Sequence, residues 1–163
     1  MAVGGAHLEE IERVYRSRGQ DFFRLAYATV GDVHAARDAV QEGFARAVRG
    51  RDSYRRSGAL EAWIARCVVN AARDETRRRR PVVEGLEAGE LAAVEEPSVD
   101  GTVVREAVRR LPQRQRDVLF LRFYLGLDYP AIAEALGVAV GTVSATLHAA
   151  RAALVQNLQE VPR

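Results

Sequence analysis

An unbroken arginine run, Arg77 to Arg80, is the strongest chemical signal in the chain. Guanidinium forks meet phosphate oxygens two at a time, so such a run at the end of a helix suits a nucleic-acid backbone. A second signal lies between Asp128 and Val143, which reads DYPAIAEALGVAVGTV. Asp128 can cap a helix, Pro130 suits its first turn, Ala133 allows a close helix crossing and Gly137 permits a left-handed turn. A short helix, a glycine turn and a second helix make a helix-turn-helix, whose second helix enters the major groove. On and beside that helix Thr142, Ser144, Thr146 and His148 offer groups for bases or phosphates, and Arg114, Arg116, Arg122 and Arg151 can anchor the backbone from the flanks. No arginine or lysine lies between Phe123 and Ala150. Bidentate contacts to guanine are each worth roughly 1–3 kcal/mol of discrimination, so weak or shape-based reading is expected here.

Catalysis finds little support. The chain shows no paired carboxylates in an apolar setting, no nucleophile with a histidine at motif spacing and no phosphate-cradling glycine loop. His7, His34 and His148 are scattered, and Cys67 is the sole cysteine, which excludes an intrachain disulfide and a thiolate zinc cluster. Cys67 sits among apolar neighbours and reads as a buried structural thiol. No enzymatic activity, cofactor or metal is expected.

These groups must be held by helices, because apolar residues recur at helical spacing nearly everywhere and strict alternation is absent. The expected fold is all-α: two small helical domains joined by a flexible acidic linker, the second with the helix-turn-helix. A first helix is expected from about His7 to Val30, with Gly19 as a possible interruption, and Asp32 caps a second that runs to Val48. That second helix turns Asp38, Gln41, Glu42 and Arg46 away from its apolar stripe. After a loop from Gly50 to Gly58, a third helix opens near Ser57, buries Leu60, Trp63, Ile64, Cys67, Val68 and Ala71, and runs out into the arginines.

The formal net charge of +2 conceals segregation, since all 24 cationic side chains are arginine while 81–100 holds Glu84, Glu87, Glu90, Glu95, Glu96 and Asp100 without a cation. That stretch lacks the apolar surface to offset its ordering entropy and reads as a tether. Helical pattern resumes at Thr102, breaks at Pro112 and continues to Gly126. The boundaries expected are 1–80, a linker 81–101, and 102–163. No stretch approaches the roughly 20 apolar residues of a membrane helix, and no signal pattern opens the chain, so the expected location is the cytoplasm, without membrane insertion.

Several segments in register resemble the extracytoplasmic-function, or group IV, bacterial sigma factors. LPQRQRDVLFLRF from Leu111, then Gly126-Leu127-Asp128-Tyr129, Ile132-Ala133-Glu134, Leu136-Gly137 and Val140-Gly141-Thr142-Val143, are similar to the family's promoter-reading domain four. DAVQEGFARA from Asp38 resembles the segment of domain two that docks on the clamp helices of the polymerase's largest subunit. Trp63-Ile64, Asn70, Asp74 and Arg77-Arg78-Arg79 resemble the segment that opens and reads the minus-ten element.

The resemblance implies a detachable initiation factor with core RNA polymerase and promoter DNA as partners. The flap of the second-largest subunit is a further contact, and sequestration by an anti-sigma factor is common in the family. It implies polymerase contacts at Asp38, Gln41, Glu42 and Arg46. Minus-ten contacts are implied at Tyr54, Trp63, Arg66, Asn70, Arg73, Arg77 and Arg78, with the loop around Tyr54 capturing unstacked bases. Minus-thirty-five contacts fall to Arg114, Arg116, Thr142, Ser144, Thr146, His148 and Arg151. The competing readings are a free-standing helix-turn-helix regulator, which would carry a receiver or ligand-binding module first, and a sigma-like interaction module with weakened promoter reading.

Overall fold

A computed structural model describes residues 4–79 and 99–160. Among these residues the regular structure is entirely helical: α1 Leu8–Val30, α2 Val33–Arg49, α3 Leu60–Arg79, α4 Val99–Arg109, α5 Gln113–Phe123, α6 Tyr129–Leu136 and α7 Val140–Glu160, with a 3-10 turn at Arg51–Ser53. Most of the expected acidic tether lies outside the described residues, and α4 begins at Val99 rather than Thr102.

The helix ends are set by local chemistry. Glu10 accepts the His7 backbone N–H at 2.7 Å, and Gly31, at φ 71°, returns its N–H to the Tyr27 carbonyl at the other end of α1. Asp32 accepts the Ala35 N–H at 2.8 Å, as expected of a cap, and that bond holds its carboxyl below the usual range. Gly19 does not interrupt α1. A mid-helix glycine costs about 1 kcal/mol against alanine, and the burial of Val14, Phe22 and Leu25 on either side outweighs it. The third helix opens at Leu60, later than Ser57, because the preceding loop is tied elsewhere: the Tyr54 hydroxyl donates to the Gly58 carbonyl at 2.5 Å.

Helices α1, α2 and α3 pack around Ile11, Phe22, Leu25, Ile64 and Val68, with the Phe44 ring edge-on to Phe22 at 5.1 Å. Gly43 lets α2 and α3 approach. A Cβ built there would stand 2.6 Å from the Val68 Cα and 3.0 Å from its backbone nitrogen. Gly43→Ala therefore forces the helices apart; overpacking costs typically 1–3 kcal/mol, more than the propensity gain. The expected drop in Tm is about 4 °C, and an unchanged or higher Tm in thermal denaturation would refute the close approach.

The second group gathers Leu121, Ile132, Val143 and Leu147 from α5, α6 and α7. Asp128 caps α6 by accepting the Ala131 N–H at 2.9 Å, and Gly137 ends it at φ 65°. The chain then turns 99° into α7, within the range of a helix-turn-helix. No single helix among the described residues is long and apolar enough to cross a membrane.

The two groups do not stand apart. Helix α3 packs on α6 and α1 on α5, so the buried apolar residues form one continuous cluster. Polar contacts cross the same seam. Arg18 donates to the Tyr124 carbonyl at 2.8 Å, Arg24 lies 4.9 Å over the Tyr124 ring, and the Thr29 hydroxyl donates to the Asp117 carboxylate at 3.0 Å. Local sequence pattern carried no sign of this seam.

Candidate nucleic-acid interface

Arg66, Asn70, Arg73 and Arg77 recur at helical spacing and form one stripe on α3. Arg66 and Asn70 are exposed and make no hydrogen bond or ion pair with any described residue. Arg73 is different: it is half-buried, and its guanidinium lies 3.9 Å from Asp117 across the seam. The arginine run is partly matched by acids of its own helix. Arg77 pairs with Asp74, Arg78 with Glu75 at 2.8 Å, and Arg79 with Glu75 at 3.0 Å and Asp32 at 3.3 Å. Exposed pairs of this kind are worth about 0–1 kcal/mol, so phosphates can displace the acids.

Tyr54 corrects an expectation. Read as a base-capturing ring in an open loop, it is buried, its hydroxyl is taken by Gly58, and its ring packs 5.5 Å from that of half-buried Trp63. Side-chain direction in an irregular loop follows packing, which residue type does not reveal. Arg55 instead stands exposed beside it, while Arg56 is committed to the Gly5 carbonyl at 2.9 Å and Glu10 at 2.8 Å. Sequence reading passed over Arg55; its place next to an aromatic in a loop was the available signal.

On α2, Asp38 and Gln41 are exposed and Glu42 is half-exposed. Glu42 accepts from Arg46 at 2.9 Å and Arg49 at 3.1 Å, with Arg46 lowering its carboxyl pKa most. Arg46 also reaches Asp74 at 2.9 Å, so it bridges α2 to α3 rather than projecting freely. Asp38, Gln41, Glu42 and Arg46 line a groove with Glu75 and Arg78. The polar faces of α2 and α3 therefore form one continuous surface.

In the helix-turn-helix, Ser144, His148 and Arg151 share an exposed face of α7, while Thr142 and Thr146 are half-buried at its margins. Arg151 lies 5.8 Å from the centre of the exposed Phe123 ring. Arg114 is exposed, but Arg116 is not the free anchor expected. It donates to the Arg109 carbonyl at 2.9 Å, its Nε is buried without a partner, and burial depresses its pKa. Cys67 is half-buried, with its thiol pushed up by burial.

Residues 14–82 match the family model of Sigma-70 region 2 and residues 102–154 that of Sigma-70, region 4. Over 90% of this chain and 76% of the relative, the sequence is 32% identical to ECF RNA polymerase sigma factor SigM of Mycobacterium tuberculosis. The chain belongs to the extracytoplasmic-function RNA polymerase sigma factors.

A second relative, ECF RNA polymerase sigma factor SigW of Bacillus subtilis, is 28% identical over 93% of this chain and 89% of its own length. In fold, the chain is similar to the sigma factor RpoE solved in complex with the anti-sigma factor NepR from Bartonella quintana. The TM-score is 0.79 at 23% identity, covering 96% of this chain and 100% of that one. As an alternative sigma factor, the protein binds core RNA polymerase and directs promoter-specific transcription initiation. Sigma factors are initiation factors without enzymatic activity of their own. Region 2 occupies the first half, where a free-standing regulator would carry a sensory module, which sets that alternative aside.

Proposed function

We propose that 1–80 is the half of this group IV sigma factor that docks on the polymerase clamp helices and opens the minus-ten element. On this reading 102–163 contacts the minus-thirty-five element and the flap, with 81–101 as the tether. The observation that carries it is the exposed pair Arg66 and Asn70 on α3, continued by Arg77: cations for phosphates flank an amide able to read a base edge. Arg73 and Arg78 extend the cationic surface. Tyr54 and Trp63 support the capture loop from beneath, and Arg55 stands at its exposed part.

Asp38, Gln41 and Glu42 form the polymerase-docking face, with Arg46 holding Glu42 in place. Upstream, Ser144, His148 and Arg151 face the duplex, Thr142 and Thr146 border them, and Arg114 anchors the backbone beside Arg116. With so few cations on this helix, upstream contact is mainly to phosphate and shape. An anti-sigma protein holds the factor until its signal, as NepR accompanies the Bartonella RpoE.

The test is transcription from fragmented genomic DNA by purified core polymerase with and without the protein, mapping transcript starts. New starts that share a minus-ten-like element are expected; their absence overturns the assignment of these faces. Arg151→Ala is expected to weaken binding to a duplex bearing the upstream element from those starts and to reduce the salt slope by about 1. Equal affinity across a salt titration would remove Arg151 from the interface.

A further inference from the structure

The loop that carries Tyr54 and Arg55 is laced to the start of the chain. The Gly5 N–H donates to the Tyr54 carbonyl and the Ala6 N–H to the Arg51 carbonyl, each at 2.9 Å. In return Arg56 donates from Nε to the Gly5 carbonyl at 2.9 Å and from its two terminal nitrogens to Glu10 at 3.2 and 2.8 Å. Gly5 suits this crossing because it has no side chain. Its φ is 109°, and a Cβ there would stand 3.2 Å from both the Arg51 carbonyl oxygen and the Asp52 Cα. Glu10 is itself fixed at the first turn of α1 by the His7 N–H, and its hydrogen bonds from Arg56 hold its carboxyl below the usual range.

Arg56 stands at φ 56°, the one non-glycine residue among those described with a left-handed backbone. A residue with a Cβ adopts that conformation at a cost and keeps it where its surroundings over-determine it. Here the surroundings are the strap 5–10, on which the Arg56 fork closes. Glycine would satisfy the same turn without strain, but it would offer no fork to hold the strap. Around this clamp the neighbouring side chains divide: Tyr54 turns in against Trp63, and Arg55 turns out to solvent. Arg56 is thereby withdrawn from phosphate, and its role is internal.

We propose that Arg56 is a positioning residue for base selection: clamped by Gly5 and Glu10, it holds the 51–58 loop in the shape that presents Arg55 to an unstacked minus-ten base. The inference rests on the assignment of this loop to base capture above. A base that leaves the duplex gives up its stacking, and a surface already in place offsets that loss without an ordering cost of its own. A loop free to rearrange would adjust to each base and distinguish them less. The strap therefore acts on discrimination among bases, while the cations of α3 retain the backbone.

The experiment uses the full chain with core polymerase on a promoter taken from the mapped starts, with each position of its minus-ten-like element exchanged for every other base. Run-off yields give a base preference at each position. Arg55→Ala marks the position the loop serves, as the one where preference falls most. There Glu10→Gln and Arg56→Gly are each expected to lower the preference about fivefold, the upper worth of an exposed ion pair. Their Tm and core-polymerase affinity are expected to stay nearly unchanged. Gly5→Ala, which displaces the strap without removing the ion pair, is expected to lower preference at the same position.

Wild-type preference in Arg56→Gly overturns the proposal, since glycine then serves the loop as well as the clamped arginine. An equal fall at every position also overturns it, because general destabilisation lowers all positions alike. If Gly5→Ala fails to fold, Glu10→Gln decides, and wild-type preference in that variant removes the clamp. Unchanged preference at every position in Arg55→Ala overturns the capture assignment and the proposal with it. Preference lost in Arg55→Ala but kept in Glu10→Gln and Arg56→Gly overturns the clamp alone.

Discussion

Replacing Asp38, Gln41 and Glu42 together by alanine is expected to abolish promoter-directed transcription while leaving the protein folded. Asp38 and Gln41 are exposed, and the bonds lost within the chain, from Glu42 to Arg46 and Arg49, are surface pairs worth about 0–1 kcal/mol. Arg46 keeps its contact with Asp74 at 2.9 Å, so the joint between α2 and α3 survives. At the polymerase, three polar contacts at roughly 1 kcal/mol each come to about 3 kcal/mol, or about a hundredfold in affinity. Core binding measured by fluorescence anisotropy and run-off transcription should fall together, with circular dichroism and Tm nearly unchanged. Wild-type affinity for core polymerase would move the docking face off α2.

Leu147→Ala is expected to carry the largest stability cost. Leu147 is 1% exposed and fills the core where α7 crosses α5 and α6. Truncating a buried leucine costs about 2–5 kcal/mol through lost transfer energy and the cavity left behind. In a chain of this length that corresponds to a Tm lower by about 10 °C, together with weaker upstream-duplex binding. Val155→Ala, on the same helix but 58% exposed, should stay within about 0.5 kcal/mol of the parent. Urea denaturation of both variants gives the comparison; equal losses would contradict the packing of α7.

What the sequence made legible was local. The caps Asp32 and Asp128 and the left-handed turn at Gly137 follow from residue type and spacing, and each stands where expected. Gly19 misled because local propensity was weighed without the tertiary packing around it. Tyr54 and Arg116 misled for a related reason. An aromatic in a loop and an arginine on a helix flank were assigned to solvent by type, yet both are claimed by neighbours distant from any periodic pattern. The Thr29–Asp117 contact joins residues of separate halves, and no periodicity within either half records it. Exposure on the α3 stripe was readable as a pattern, but the diversion of Arg73 was not.

The acids that answer the arginines at the end of α3 have one more consequence. Asp74 and Glu75 occupy the guanidinium forks of Arg77, Arg78 and Arg79 much as phosphates would, so the protein carries its own decoy for the DNA backbone. Random duplex, offering phosphates alone, must displace a tethered carboxylate at each fork, which takes about 0–1 kcal/mol from each contact. On the proposed assignment, a promoter that also offers a base to Asn70 gains a contact the decoy cannot imitate. If α3 meets DNA as proposed, these acidic side chains discount the contacts every sequence shares and leave those that only some sequences supply.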